Sequence, residues 1–292
     1  MDINDIQICK RFLAGCAVQA LIDELRLTPK PGLVDLNDTG VHDDLNVSIM
    51  MRSAESLRET FEKMAVVSFN EEPSQTLREE IAYIGRQGEQ EMFQATGGTN
   101  SHKGAIWSLG LLVSSASIYR GHVEASQLLE TAGRIARFED RYVPQEVTNG
   151  SVVKRKYKVN GAREEAELAF PHIKHFSLPT LLSGRARGIN EEDARLNALI
   201  SLIANLDDTC ILHRGGKEAL IDAQRLANLI LASGGVSTSE GFQTLSNLNS
   251  SMHTHNASPG GCADLLAATL FVDRISTYSD QVMNKKLDMA II

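Results

Sequence analysis

Residues 6–32 read IQICKRFLAGCAVQALIDELRLTPKPG. Within them Ile6, Phe12, Leu13, Ala17, Leu21, Ile22 and Leu25 recur at roughly helical spacing, and the two prolines of TPKPG stop the pattern. The stretch predicts a helix with an abrupt end, not a strand. Similar patterns cover about 47 to 66, 75 to 94, 104 to 119, 123 to 138, 191 to 206, 217 to 232 and 261 to 276. Glycine and proline clusters separate them at GGTNSHKG, HRGG, ASGG and SPGG. No succession of alternating strands, internal repeat, coiled-coil heptad or long linker is visible. The expectation is one compact all-α domain of many helices over residues 1–292. Residues 140–162, DRYVPQEVTNGSVVKRKYKVNGA, predict a short strand or helix. Their cluster Lys154, Arg155, Lys156 and Lys158 reads first as a solvated face and second as a rim that attracts an anion.

The composition narrows the function classes. A chain of 292 residues with 42% hydrophobic content can bury a sizeable core. No apolar run reaches the roughly 18 uncharged residues of a membrane span, and MDINDIQICKRF carries acidic residues where a signal peptide is basic. A soluble, cytoplasmic protein is expected. Cys9, Cys16, Cys210 and Cys262 form no CxxC pair, so they read as reduced, mostly buried thiols, and structural zinc is not expected. With 29 Lys plus Arg against 37 Asp plus Glu, the formal charge is −8, which argues against a general nucleic-acid surface. An anionic ligand must then be held locally, by a few Lys and Arg, by helix N-termini, or through a divalent cation on carboxylates.

Three stretches could do this. TGGTNSHKG at 96–104 is not a Walker A loop: no glycine directly precedes Lys103, and Gly104 follows it in place of Ser or Thr. Small residues before a lysine at a helix start still suit a polyphosphate, and a simple turn suits them equally. In SPGGCADLL at 258–266, Ser258 can cap a helix with Pro259 at its first position, and Gly260 and Gly261 leave first-turn N–H groups uncovered. Asp264, one turn in, either complements the helix dipole or assists a cation. In NLDDTCILHRGG at 205–216, Asp207 and Asp208 fall near the C-terminal end of an apolar helix, where negative charge is disfavoured, so a divalent cation or Arg214 is expected to compensate them. Glu24, Asp35, Asp44, Glu89 and Glu91 are each a base, a ligand or a plain surface carboxylate, and His42 is a turn or catalytic histidine. Trp107 and Phe93 read as core residues, with adenine stacking the lesser option.

Taken in order, LTPKPGLVD at 27–35, GVHDDL at 40–45, EMFQATGGTNSHKGAIWSLGLL at 91–112, TNG at 148–150, GAREEAELAFP at 161–171, DDTCILHRGG at 207–216 and SPGGCADLL resemble the triphosphoribosyl-dephospho-CoA synthase family over most of the chain. The resemblance implies an all-helical enzyme that uses ATP and 3′-dephospho-CoA. It joins the ribose C1 of ATP to the 2′-hydroxyl of dephospho-CoA and releases adenine, making the prosthetic-group precursor of a citrate lyase or malonate decarboxylase acyl carrier protein. It further implies Asp44, Glu89, His42 and His102 as catalytic positions. Lys30, Gly97, Gly98, Asn100, Lys103, Arg163, Arg214, Ser258, Gly260 and Gly261 would bind nucleotide, and Asp207, Asp208 and Asp264 would bind Mg²⁺. Glu164 and Ala169 stand where the family pattern usually has glycine, and Ser101 and Trp107 where it usually has Thr and Phe. Breaking the ribose–adenine bond builds positive charge on the ribose, so carboxylates should flank it. Glu89 or Asp44 is the expected base, and a protonated side chain or water must serve the leaving adenine. The rival readings are an Mg²⁺-dependent all-helical hydrolase of N-ribosyl bonds, and a helical binding protein without turnover. A homodimer is compatible with a helical enzyme of this size.

Overall fold

Asp5 begins the first helix: its carboxylate accepts the Gln7 and Ile8 N–H groups, and α1 (Ile6–Arg26) then runs to the turn at TPKPG. The computed structural model describes residues 5–144 and 148–290, the last eight of these by backbone alone. After α1 come α2 (Val47–Ser56), α3 (Arg58–Ser68), α4 (Gln75–Thr96), α5 (Lys103–Ile118) and α6 (Ala125–Ala136). Then follow α7 (Asn149–Tyr157), α8 (Ala162–Glu167), a π-helical turn at Ile173–Ser177 that continues into α9 (Leu178–Ala186), and α10 (Glu191–Asn205). The chain closes with α11 (Thr209–Arg214), α12 (Gly216–Ala232), α13 (Ser239–Thr254) and α14 (Gly260–Ala290). Among the described residues there is no strand, so the fold is all-α as expected.

Side-chain caps account for most helix starts. Asn46, Ser74, Asn190 and Thr238 each accept a first-turn N–H, and Thr148 and Ser151 cap α7 reciprocally. The helix expected over 47–66 is two helices, divided at Leu57, whose N–H turns back to Ala54 O. The region 140–162 resolves into a turn and α7, not a strand; residues 145–147 lie outside the described residues. Its basic cluster is exposed, with Lys154 paired to Glu164, in keeping with a solvated face. Sequence patterning missed α8, α9, α11 and α13: α13 buries only Gly241, Leu245, Leu248 and Met252 among many Ser and Asn.

The core is organised around α5, of which twelve of sixteen residues are buried. A helix apolar on every side must be surrounded, and α5 is packed by α1, α3, α4, α6 and α14. Its buried Ser115 and Ser117 donate to the carbonyls of Leu128 and Ala65, which removes the cost of burying a hydroxyl. Fully burying a leucine such as Leu109 or Leu111 stabilises by about 2 kcal/mol. A small second cluster, Leu25, Val34 and Leu45, pins the TPKPGLVD loop under α1 and α2. Cys9, Cys16 and Cys262 are buried free thiols and Cys210 is an exposed one. No helix among the described residues is long and apolar enough to cross a membrane.

Candidate active site

The starts of α5 and α14 meet. A Cβ on Gly104 would fall far inside contact distance of Asp264 Oδ2, so only glycine permits this approach. The Asp264 carboxylate thereby lies within hydrogen-bonding reach of the Ala105 N–H in the first turn of α5. Asp208 does the same for two further helices. Its Oδ1 accepts from Cys210 N at 2.7 Å and Ile211 N at 3.2 Å, and its Oδ2 accepts from Cys262 N at 2.8 Å.

This geometry corrects the reading of the aspartate pair. Asp208 is not at a helix C-terminus in need of a cation: α10 ends at Asn205, and Asp208 is the N-cap of α11, where the dipole favours negative charge. Three backbone N–H groups, rather than Arg214, compensate it. The helix starts expected to await an anion are thus each fronted by an internal carboxylate, α5 by Asp264 and α14 by Asp208. Helix α14 begins at Gly260, with Pro259 O accepting from Ala263 N, and the Ser258 hydroxyl meets His42.

Behind these helix starts lies a layer of buried polar groups. Lys30 Nζ donates to Glu24 Oε1 at 2.5 Å, with side chains 1% and 5% exposed, and Lys30 N donates to Asp35 Oδ2 at 2.8 Å. His102 is buried, its Nδ1 2.7 Å from Ser53 Oγ and its Nε2 without a partner. Burial first, and the Lys30 ammonium second, push the His102 ring down to about 4, so it is neutral at pH 7. Asp264 is held well above the usual carboxylate range by burial and then by the charges of Glu24 and Asp208. Asp208 is also raised, because burial outweighs its backbone hydrogen bonds.

His42 occupies an outer position set by two glycines. Gly32 and Gly40 take φ of +70° and +59°, and a Cβ on Gly40 would come within 2.6 Å of the Gly32 carbonyl, so the TPKPG and GVH segments fold tightly together. His42 Nε2 lies 3.0 Å from Ser258 Oγ, and its Nδ1 lies 3.3 Å from Arg214 Nη2. Arginine only donates. Nδ1 is therefore the acceptor, Nε2 carries the proton towards Ser258, and the serine is not activated as a nucleophile. Burial and then Arg214 lower the His42 ring, against the opposing pull of Asp44 and Asp43. Asp44 itself is exposed, 3.8 Å from the ring.

A pocket of about 170 Å³ opens beside the Gly104 and Asp264 contact. Ser108, Gly261 and Leu265 extend that wall, the turn from Asn205 to Thr209 supplies Asp207, and α8 with the following turn supplies Glu165, Phe170 and His172. Of the residues singled out from sequence, Asp207, Asp264 and Gly261 line it. The others lie elsewhere. Gly97, at φ +72°, is the left-handed C-cap of α4, and Gly98 N donates to Phe93 O, so this half of TGGTNSHKG is a helix stop. Asn100 Oδ1 accepts from Lys103 N, and Lys103 Nζ pairs with Glu89 Oε2 at 2.8 Å. Lys30 is sealed in its pair with Glu24, and Arg163 pairs with Glu167 at 2.7 Å on the exposed side of α8.

Two pocket residues had no sequence signal. Glu165 Oε2 lies 2.7 Å from His172 Nδ1, and Glu165 Oε1 accepts from His172 N at 2.9 Å. The pairing depends on the reversal at Ala169 and Phe170, both at positive φ (60° and 55°), which spacing does not reveal. Burial pulls the His172 ring down, but the Glu165 hydrogen bond and charge, then Asn205 O and Asp207, raise it above its ordinary value.

Of the three expected Mg²⁺ ligands, Asp207 and Asp264 line one pocket, and Asp208 is held apart by its backbone partners. Asp208 already accepts three backbone N–H groups, Asp264 faces the start of α5, and Asp207 Oδ1 accepts from Gln224 Nε2. Among the described residues no three His, Cys, Asp or Glu converge as a metal site.

Residues 10–282 match the family model CitG, described as ATP:dephospho-CoA triphosphoribosyl transferase. The chain is 46% identical over 265 residues to the 2-(5″-triphosphoribosyl)-3′-dephosphocoenzyme-A synthase of Klebsiella pneumoniae, covering 91% of this chain and 95% of the relative. Probable synthases of the same name from Pseudomonas fluorescens and Azotobacter vinelandii are each 45% identical, over 91% and 92% of both chains respectively. No solved structure matches.

Proposed function

The chain belongs to the ATP:dephospho-CoA triphosphoribosyl transferase family, and from that membership we propose that it transfers the 5-triphosphoribosyl group of ATP to the 2′-hydroxyl of 3′-dephospho-CoA, releasing adenine. The observation that carries the proposal is the pocket at the junction of the NSHKG and SPGGCADLL segments, where Gly104 exists to admit the carboxylate of Asp264.

Asp207 and Asp264 place negative charge along that pocket, where positive charge on a ribose would develop. Asp264 takes the proton of the attacking hydroxyl: a carboxylate raised by burial is the stronger base. It replaces Glu89 and Asp44 in that role, since Glu89 is tied to Lys103 and Asp44 is an exposed side chain outside the pocket. Lys103 at the start of α5 and Arg214 at the end of α11 supply cations for the phosphates. Mg²⁺ enters as part of the ATP substrate, held chiefly by phosphate oxygens. Asp208 and Lys30 are framework, shaping the pocket from behind. The same reading puts the enzyme in the cytoplasm as a single all-helical domain, with a homodimer to be checked by sedimentation.

The test is adenine release from Mg·ATP with and without 3′-dephospho-CoA, with the CoA-derived product followed by mass. Adenine formed only with dephospho-CoA, together with a product heavier by one triphosphoribosyl group, supports the transfer. Adenine without that product overturns it.

A further inference from the structure

The proposed transfer leaves one proton unassigned. Cleaving the C1′–N9 bond sends its electron pair into the purine, and adenine departs as a neutral molecule only if a ring nitrogen is protonated. In the same pocket as the Asp264 and Gly104 contact, His172 meets two groups that only accept. Its Nε2 faces Asn205 O at 3.2 Å, and its Nδ1 faces the Glu165 carboxylate at 2.7 Å. A neutral imidazole has one N–H and satisfies one of them; both are satisfied only when the ring carries two protons. Glu165 is buried, and its second oxygen is taken by the His172 N–H, so the carboxylate is fixed against the ring.

We propose that His172 is the acid that protonates the departing adenine, with Glu165 as its positioning residue, and that the pocket between them and Asp264 receives the purine ring. This rests on the transferase reading and deepens it. The two ring protons are not equivalent. The Nδ1 proton is held by a short charge-assisted hydrogen bond, whereas the Nε2 proton has only the long contact to a carbonyl. A purine nitrogen that replaces Asn205 O therefore receives the Nε2 proton, and Glu165 keeps the remaining tautomer in place, as a carboxylate does for a catalytic histidine elsewhere. The walls suit a flat base: Leu206, Leu265, Phe170 and Leu168 are apolar and polar groups converge among them. In the balanced step the C1′–N9 bond breaks and the bond from C1′ to the 2′-oxygen forms. The hydroxyl proton passes to Asp264 and the His172 proton to adenine; exchange with water then restores both groups.

The experiment uses the full chain, with ATP and with 7-methyl-ATP, whose purine already carries the positive charge and leaves without protonation. With ATP, His172→Gln should lower kcat by about 100-fold or more with KM little changed. With 7-methyl-ATP the variant should approach wild type, so the ratio of the two donors' rates moves in favour of the methylated one. Glu165→Gln should shift the ratio in the same direction by a smaller factor, and it serves if His172→Gln fails to give a cooperative thermal melt. A kcat with ATP close to wild type, or an equal loss with both donors, overturns the assignment. Failure of wild type to release adenine from ATP with dephospho-CoA would instead remove the transferase reading on which it rests.

Discussion

Gly104 and Asp264 are one feature written at two distant positions: the missing side chain of the first is the space the second occupies. Asp264→Asn keeps the shape and removes the base, so kcat should fall by about 100-fold or more, whereas Asp44→Asn, outside the pocket, should retain most activity. Equal losses in the two variants, measured as adenine release at saturating ATP, would return the base to the position suggested by sequence alone. His102 makes a separate prediction about stability. The folded chain holds its ring neutral down to about 4, while the unfolded chain takes up a proton below the ordinary 6.5. The unfolded state therefore binds more protons across that window, and stability is lost as pH falls through it, by about 3 kcal/mol in total. Urea unfolding at pH 7 and pH 4.5 should show a smaller loss in His102→Gln than in wild type; the same loss in both would show that this ring is not the source. At this scale the sequence singled out Asp207, Asp264 and Gly261, which are the three of its candidates that line the pocket. It did not reveal Glu165 and His172, because the two meet across a chain reversal at Ala169 and Phe170 and not along one continuous helix face.

Between elements, Asp208 joins the starts of α11 and α14 through three backbone hydrogen bonds. Asp208→Ala leaves those donors buried and unpaired, which should cost about 3 kcal/mol and lower the melting temperature before any ligand is added. A variant with unchanged stability and lost turnover would instead point to direct contact with substrate or metal. The turn between α8 and the π-helical segment carries a different tension. Ala169 is held at φ +60°, opposite Gly133, whose missing side chain leaves room for it, at a position where the family pattern usually has glycine. Ala169→Gly should stabilise by about 1 kcal/mol, read from the urea midpoint, since glycine takes this conformation without the side-chain penalty. A lower midpoint would mean that the methyl contributes more by packing than it costs by conformation. Glu164, the other departure from that pattern, accepts from Gly161 N and binds Lys154, so it ties α8 to α7. Helix periodicity found the long elements and missed α13 because its buried face is so sparse, Leu245, Leu248 and Met252 among polar residues.

For the whole molecule, α5 is the element from which unfolding must be global, because helices surround it and its first turn forms part of the pocket. Native-state hydrogen exchange should be slowest for the amides of 106–116 and much faster in α7, where only Val153 is buried. Comparable rates in the two helices would deny α5 that central place. The sequence by itself determined the all-α class, the position of the TPKPG stop and the family, because these rest on local periodicity, proline chemistry and long contiguous strings. What only the tertiary structure decided was which polar groups meet. Lys30 became a buried partner of Glu24, Asp208 a cap for two helices, and Glu165 with His172 a hydrogen-bonded pair lining the pocket. Each of those roles follows from burial and from partners far apart in the chain, and the cost of burying an unpaired charge or donor, not any local preference, selects them.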